Sequence, residues 1–314
     1  MSLKMINNKS KIKTIGVLFV FAYLFIRLFV YSDSVQAQEV SLSLSPPITE
    51  LTIQPGRSYI QVFTLRNDGA PVTIGPKIFP FIPLDRQGHA ELIEDKNSVD
   101  VFAPWFYFDQ TPVSLGTTGS RDFYVKITPP VGTEEKDYYF TFIVEVQNEN
   151  NLGINNSLAQ ARIGANILIS VSKDGNPSKK ASAITFSAPR LIDSFSTLNY
   201  KVVIANTGFS FFKPTGKITV DQIFGSTTVL NLAPLNVLVG GAREISCIQD
   251  ENLIPCTLPG KFLIGIYRSD LTFTIDDSGT AIAKQIYTIA FPFSVLIGVA
   301  IIFIIYRIIK RLTG

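Results

Sequence analysis

An uncharged apolar run from Tyr287 to Tyr306, closed by Arg307, Lys310 and Arg311, constrains this chain more than any other feature. As a helix rising 1.5 Å per residue it reaches about 30 Å, the thickness of a bilayer's hydrocarbon core. The sequence therefore predicts a transmembrane helix over 287–306 and a short basic tail over 307–314. Pro292 falls in the first turns, where a helix tolerates proline. Ahead of the run stand Asp276, Asp277 and a single Lys284, so the positive charge behind it directs the C-terminus to the cytoplasm and the body outside.

At the other end Lys4, Lys9, Lys11 and Lys13 precede an apolar run from Ile15 to about Tyr31, and Val35-Gln36-Ala37 follows. This order predicts a secretory signal peptide over 1–37, cleaved after Ala37. Arg27, late in the apolar run, leaves a retained signal anchor as the alternative. Either way the following residues leave the cytoplasm; with the signal peptide cleaved, the expected location is the cell membrane, single-pass, with the bulk extracellular or periplasmic. The net charge of +3 reflects these basic termini, so it does not point to nucleic acid.

Between the termini, short runs alternate with period two and are separated by Gly, Pro, Asn and Asp, the pattern of an all-β chain. Phe123, Val125 and Ile127 alternate with Asp122, Tyr124 and Lys126, which places one face inward and the other in water. Further expected strands include Tyr59–Arg66, Tyr138–Val146, Ile163–Val171, Phe262–Tyr267 and Leu271–Ile275. With 46% apolar and only 17% charged residues there is material for real cores. The polar stretch Ser172 to Lys180 has no apolar side chain, and reads as a linker over 174–180 between sandwiches at 39–173 and 181–276. A juxtamembrane spacer at 277–286 would follow. Asn67-Asp68-Gly69 and Asn206-Thr207-Gly208 each end a strand near the start of a domain, which suggests an internal repeat. The fold class is then all-β, two Ig-like sandwiches in tandem plus one C-terminal transmembrane helix.

Cys247 and Cys256 are the two cysteines, both on the exported side. A disulfide is expected in an oxidising compartment, and thiols in a cell that does not oxidise its surface proteins. His89 is the sole histidine, in a polar loop, and no motif suggests a nucleophile and orienting acid brought to it, so it reads as a solvated turn residue. No Gly-x-Ser-x-Gly elbow, phosphate-cradling loop or metal-ligand spacing occurs. Asp276-Asp277-Ser278-Gly279 reads as a flexible spacer rather than a calcium loop. Asn155-Asn156-Ser157 is a glycosylation sequon only where the pathway exists. The chain is therefore expected to be no enzyme and to need no cofactor and no metal.

Phe102-Ala103-Pro104-Trp105-Phe106-Tyr107-Phe108-Asp109 is the most unusual stretch. Read as a strand it sends Phe106 and Phe108 one way and Trp105 and Tyr107 the other. One face is core. Trp105 and Tyr107 on the second face are either covered by a loop or form an aromatic patch that binds a partner.

From Leu51 to Val171 the order Ile53-Gln54-Pro55-Gly56, Leu65-Arg66-Asn67, Ala103-Pro104-Trp105-Phe106, Val113-Ser114-Leu115-Gly116 and Phe123 to Pro130 resembles the N-terminal domain of the WxL-interacting proteins, and more distantly the pilus-chaperone type of sandwich. Ile204 to Gly208 and Phe212 to Ile218 resemble that family's C-terminal domain. The resemblance implies attachment of surface proteins or cell-wall polymer through the sandwiches. The expected function is a membrane-anchored surface protein that scaffolds other envelope components, the alternative being an assembly chaperone or accessory subunit of an envelope complex.

Overall fold

The computed structural model describes residues 40–147, 161–223, 225–258, 262–275 and 281–313. The signal segment, the Asn155-Asn156-Ser157 sequon and Asp276-Asp277-Ser278-Gly279 lie outside them. The described chain is mostly β, in two units with separate cores, followed by one apolar helix.

The first unit comprises β1 (Leu42–Ser45), β2 (Ile48–Ile53), β3 (Tyr59–Asn67), β4 (Val72–Pro83), β5 (Ala90–Leu92), β6 (Phe106–Tyr107), β7 (Val113–Leu115), β8 (Ser120–Ile127), β9 (Asp137–Gln147) and β10 (Arg162–Val171). One sheet runs β1-β3-β8-β6 and the other β2-β10-β9-β4, with β5 and β7 each along part of β4's outer edge. The chain crosses between sheets at Pro46, after a cis Ser45–Pro46 bond, so β1 pairs antiparallel with β3 and β2 parallel with β10. Period-two patterning decides what faces in: Phe123, Val125 and Ile127 of β8 are buried and Asp122, Tyr124 and Lys126 are exposed, as the sequence predicts. They pack on Phe63, Leu65, Phe140, Phe142 and Ile167 from the other strands.

The second unit comprises β11 (Ala181–Ser187), β12 (Leu191–Asp193), β13 (Leu198–Asn199), β14 (Lys201–Asn206), β15 (Thr215–Gln222), β16 (Thr227–Leu232), β17 (Ala242–Glu244), β18 (Cys247–Gln249), β19 (Asn252–Ile254), β20 (Thr257–Leu258), β21 (Gly265–Thr274) and β22 (Ile282–Phe291). Its sheets are β11-β14-β17 and β12-β22-β21-β15-β16-β18-β19, with β13 and β20 forming a small pair. β21 is one strand where the sequence suggested two. Arg268 and Asp270 in its middle sit on the solvent face, where Arg268 is bonded to Asp221 and Asp270.

The helix departs from the expected boundary. Residues 282–291 form β22, so the part of the expected spacer from 282 to 286 and the first turns assigned to the helix are sheet, and the helix runs Phe293–Thr313. Tyr287 and Ile289 are exposed apolar residues on β22, and they join the helix in one uncharged run that conceals the change of period. The helix is long and apolar enough to cross a membrane, and none of it is buried against the chain.

The repeat seen in the sequence marks two equivalent buried asparagines. Asn67 donates to the carbonyls of Ala70 and Gly116 and accepts from the Gly69 amide. Asn206 donates to those of Ser210 and Val237 and accepts from Gly208. Gly208 is required for space, since a Cβ there would lie 2.6 Å from the Lys180 amide nitrogen.

The two units are locked together. Phe81, Tyr139 and Leu168, on the outer face of the first unit's larger sheet, bury against Phe211 and Leu238 of the second. Beside them the carboxylate of Asp137 accepts bonds from Ser170, Tyr139 and the Phe211 amide, and Tyr139 in turn accepts from the Val239 amide. Glu50 takes Lys213 at 2.7 Å and Asn236 at 2.6 Å. The Glu244 amide donates to the Arg86 carbonyl at 2.7 Å. The Phe209 and Ser210 amides both bond the Ser178 carbonyl, so the polar linker is itself pinned.

Candidate functional site

The aromatic stretch is not one strand. Asp95 caps a short helix, Lys96–Phe102, by accepting from the Ser98 amide, and the Ser98 hydroxyl together with that amide holds its carboxyl below the usual range. A 3₁₀ turn follows over Ala103–Trp105 with Pro104 inside it, and only then comes β6. The turn rotates Trp105 inward, where it is 5% exposed and packs on Tyr138 with ring centroids 4.7 Å apart. Tyr107, beside Lys126, is 80% exposed. Of the two residues, Trp105 is therefore core and Tyr107 is exposed.

What the stretch builds instead is a slot at one open side of the first sandwich, with a cavity of about 190 Å³. Phe102, Phe106 and Phe108 form one wall and the 76–80 segment of β4 the other, with Phe140 between them. Phe102 and Phe106 each meet the Phe140 ring edge to face, at 5.1 and 4.8 Å. Val99 stands at the lip. The polar side chains are Lys77 and Gln110, and Lys77 is drawn aside by the buried carboxylate of Glu145 at 2.6 Å. No carboxylate, hydroxyl, thiol or imidazole lines the slot, and its one basic side chain, Lys77, is paired with Glu145. It can take an apolar group.

The β4 edge beside the slot is closed to an added strand. The Pro80 carbonyl accepts from the Ile93 amide and the Leu84 amide donates to His89, so even-numbered residues point away from β9. Pro76 and Pro80 occupy two of the three even positions from 76 to 80, and proline has no N–H to offer. Recognition here falls to side chains.

The remaining sequence-predicted residues lie elsewhere. Cys247 and Cys256 are disulfide-bonded and buried in the second unit's core. His89 is in the hairpin between β4 and β5, bonded to Asp85, whose carboxyl this bond lowers from its ordinary value. Arg307, Lys310 and Arg311 are in the last turns of the helix, with the Arg307 guanidinium 5.5 Å from the Phe303 ring centre. The slot itself is missed by sequence reasoning, although the five aromatics between 102 and 108 were its signal.

No family model and no curated protein matches the sequence. Among solved structures, the class 5 fimbrial chaperone CfaA aligns over 78% of this chain and 98% of its own at 10% identity, with a TM-score of 0.39. The E. coli chaperone DraB aligns over 80% and 99% at 15% identity and a TM-score of 0.35. A PapD-like domain of human CEP192 aligns over 45% and 92% at 12% identity and a TM-score of 0.30. The resemblance to WxL-interacting proteins is thereby corrected: the solved structures that this chain is similar to include fimbrial chaperones such as CfaA and DraB. At these scores the overlaps carry no weight for function.

Proposed function

We propose that this chain is a membrane-tethered accessory protein of the cell envelope, an assembly chaperone or subunit, that holds another envelope protein by an apolar side chain seated in the slot of its first domain. The observation that carries this reading is the slot itself. Rings that would ordinarily close a sandwich core instead line an open space larger than the cavity of about 150 Å³ that accommodates benzene. Such a surface lacks packing partners until something fills it. The apolar helix with Arg307, Lys310 and Arg311 behind it supports the tether, and the disulfide fits an oxidising exterior. Tethering raises the local concentration of a co-resident partner, so modest affinity suffices.

The test is affinity purification of the full chain from detergent-solubilised membranes. Val99→Asp puts a charge at the lip of the slot, and Tyr124→Asp puts one on the opposite sheet's solvent face. Val99→Asp is expected to lose a co-purifying envelope protein that Tyr124→Asp and the natural protein retain, with unchanged melting temperature. An identical partner set in all three contradicts the reading.

A further inference from the structure

We infer that the helix-proximal end of the second domain is a lipid-embedded collar, seated in the interfacial layer of the bilayer. This rests on the membrane reading above and adds where the domain sits. The first observation is a deficit of length. With residues up to Phe291 committed to β22, the uncharged part of the helix, Phe293–Tyr306, is about 14 residues and about 21 Å long, against a hydrocarbon core of about 30 Å. Arg307 reaching outward along its stem recovers part of this.

The second observation is what surrounds the helix start. Phe291 of β22 pairs with Asp193 of β12, and Gly265 of β21 with Ala290, so these strand ends meet at the point where the helix leaves. The Ser194 amide bonds the Phe291 carbonyl, and the Leu263 amide bonds Ser194. Exposed there are Phe195 (62%), Phe262 (48%), Ile264, Ile266, Phe291 and Phe293. Phe195 and Phe262 pack edge to face at 5.2 Å. Segments 194–197, 262–266 and 289–293 contain no charged residue. The one acid beside them, Asp193, is occupied by the amide and hydroxyl of Ser294 in the helix's first turn. Only Pro292 separates strand from helix, so the domain cannot stand away from the surface its helix enters. Exposed aromatic and branched apolar side chains, without charge and continuous with a helix whose uncharged part is shorter than the hydrocarbon core, fit the interface of a lipid bilayer.

Both native cysteines are disulfide-bonded, so an introduced cysteine is the single free thiol. The full chain is placed in phosphatidylcholine vesicles with an environment-sensitive fluorophore at Phe195→Cys, Phe262→Cys, Ile301→Cys or Tyr124→Cys, and nitroxide-bearing lipid is added as quencher. The collar predicts blue-shifted emission and quenching at 195, 262 and 301, and neither at 124. Quenching at 301 with water-like, unquenched emission at both 195 and 262 overturns the collar and leaves the tether. No quenching at 301 overturns both.

Discussion

Asp137 shows how one side chain can report on the joint between domains. Burial pushes its carboxyl above the ordinary value of 3.8, while bonds from Ser170, the Phe211 amide and Tyr139 pull the other way without overcoming it. A carboxyl raised in the folded chain takes up its proton there before it does in the unfolded chain. Its ionised form therefore costs stability above the raised value, and the cost fades as pH falls from there towards 3.8. Relative to Asp137→Asn, the natural protein should gain stability as pH is lowered through that window; a pH-independent difference in urea unfolding would contradict this. At the aromatic stretch, Trp105→Ala should cost about 3–5 kcal/mol, as removal of a buried ring does. Tyr107→Ala should stay within about 0.5 kcal/mol, as exposed substitutions do, and denaturant unfolding checks both. The cysteine pair was legible because the chain holds just two on one side of the expected helix. Trp105 and Tyr107 do not share a face as a continuous strand would have it, because the 3₁₀ turn at Pro104 breaks the alternation before β6.

Elements were legible where burial follows a clean period. β8 declares its faces by alternation, whereas β22 disappears because exposed Tyr287 and Ile289 make it as greasy as the helix it feeds. Hydropathy records transfer preference and not conformation, so it could not separate a sheet strand from the span behind it. The β18–β19 hairpin gives a prediction at this scale. Asp250 and Glu251 turn it with φ of 48° and 65°, values that favour glycine, and the disulfide ties its root to Cys256. Replacing both cysteines by serine should cost about 2.5–3 kcal/mol by the entropy of the loop it closes. Unfolding with and without reductant measures that loss, and an unchanged midpoint would contradict it.

At the scale of the molecule, the two cores and the apolar end were visible as patterning, but the relation between the units was not. Asp137, Tyr139 and Glu50 meet residues about 70 to 190 positions away, and no local pattern encodes such a joint. The slot escaped for the same reason: its walls come from β4 and from 99–110, and each reads alone as ordinary core. Tyr139→Phe, which leaves the Val239 amide without its acceptor, should cost about 1–3 kcal/mol and loosen the joint, as seen in thermal unfolding. The central claim, that the slot holds an envelope protein, is tested most directly by a photo-crosslinking amino acid at Gln110 on the slot's rim in cells carrying the full chain, with Tyr124 as control position. A discrete protein adduct from position 110 and none from 124 is the predicted result; no adduct from 110, or the same adducts from both, would contradict it.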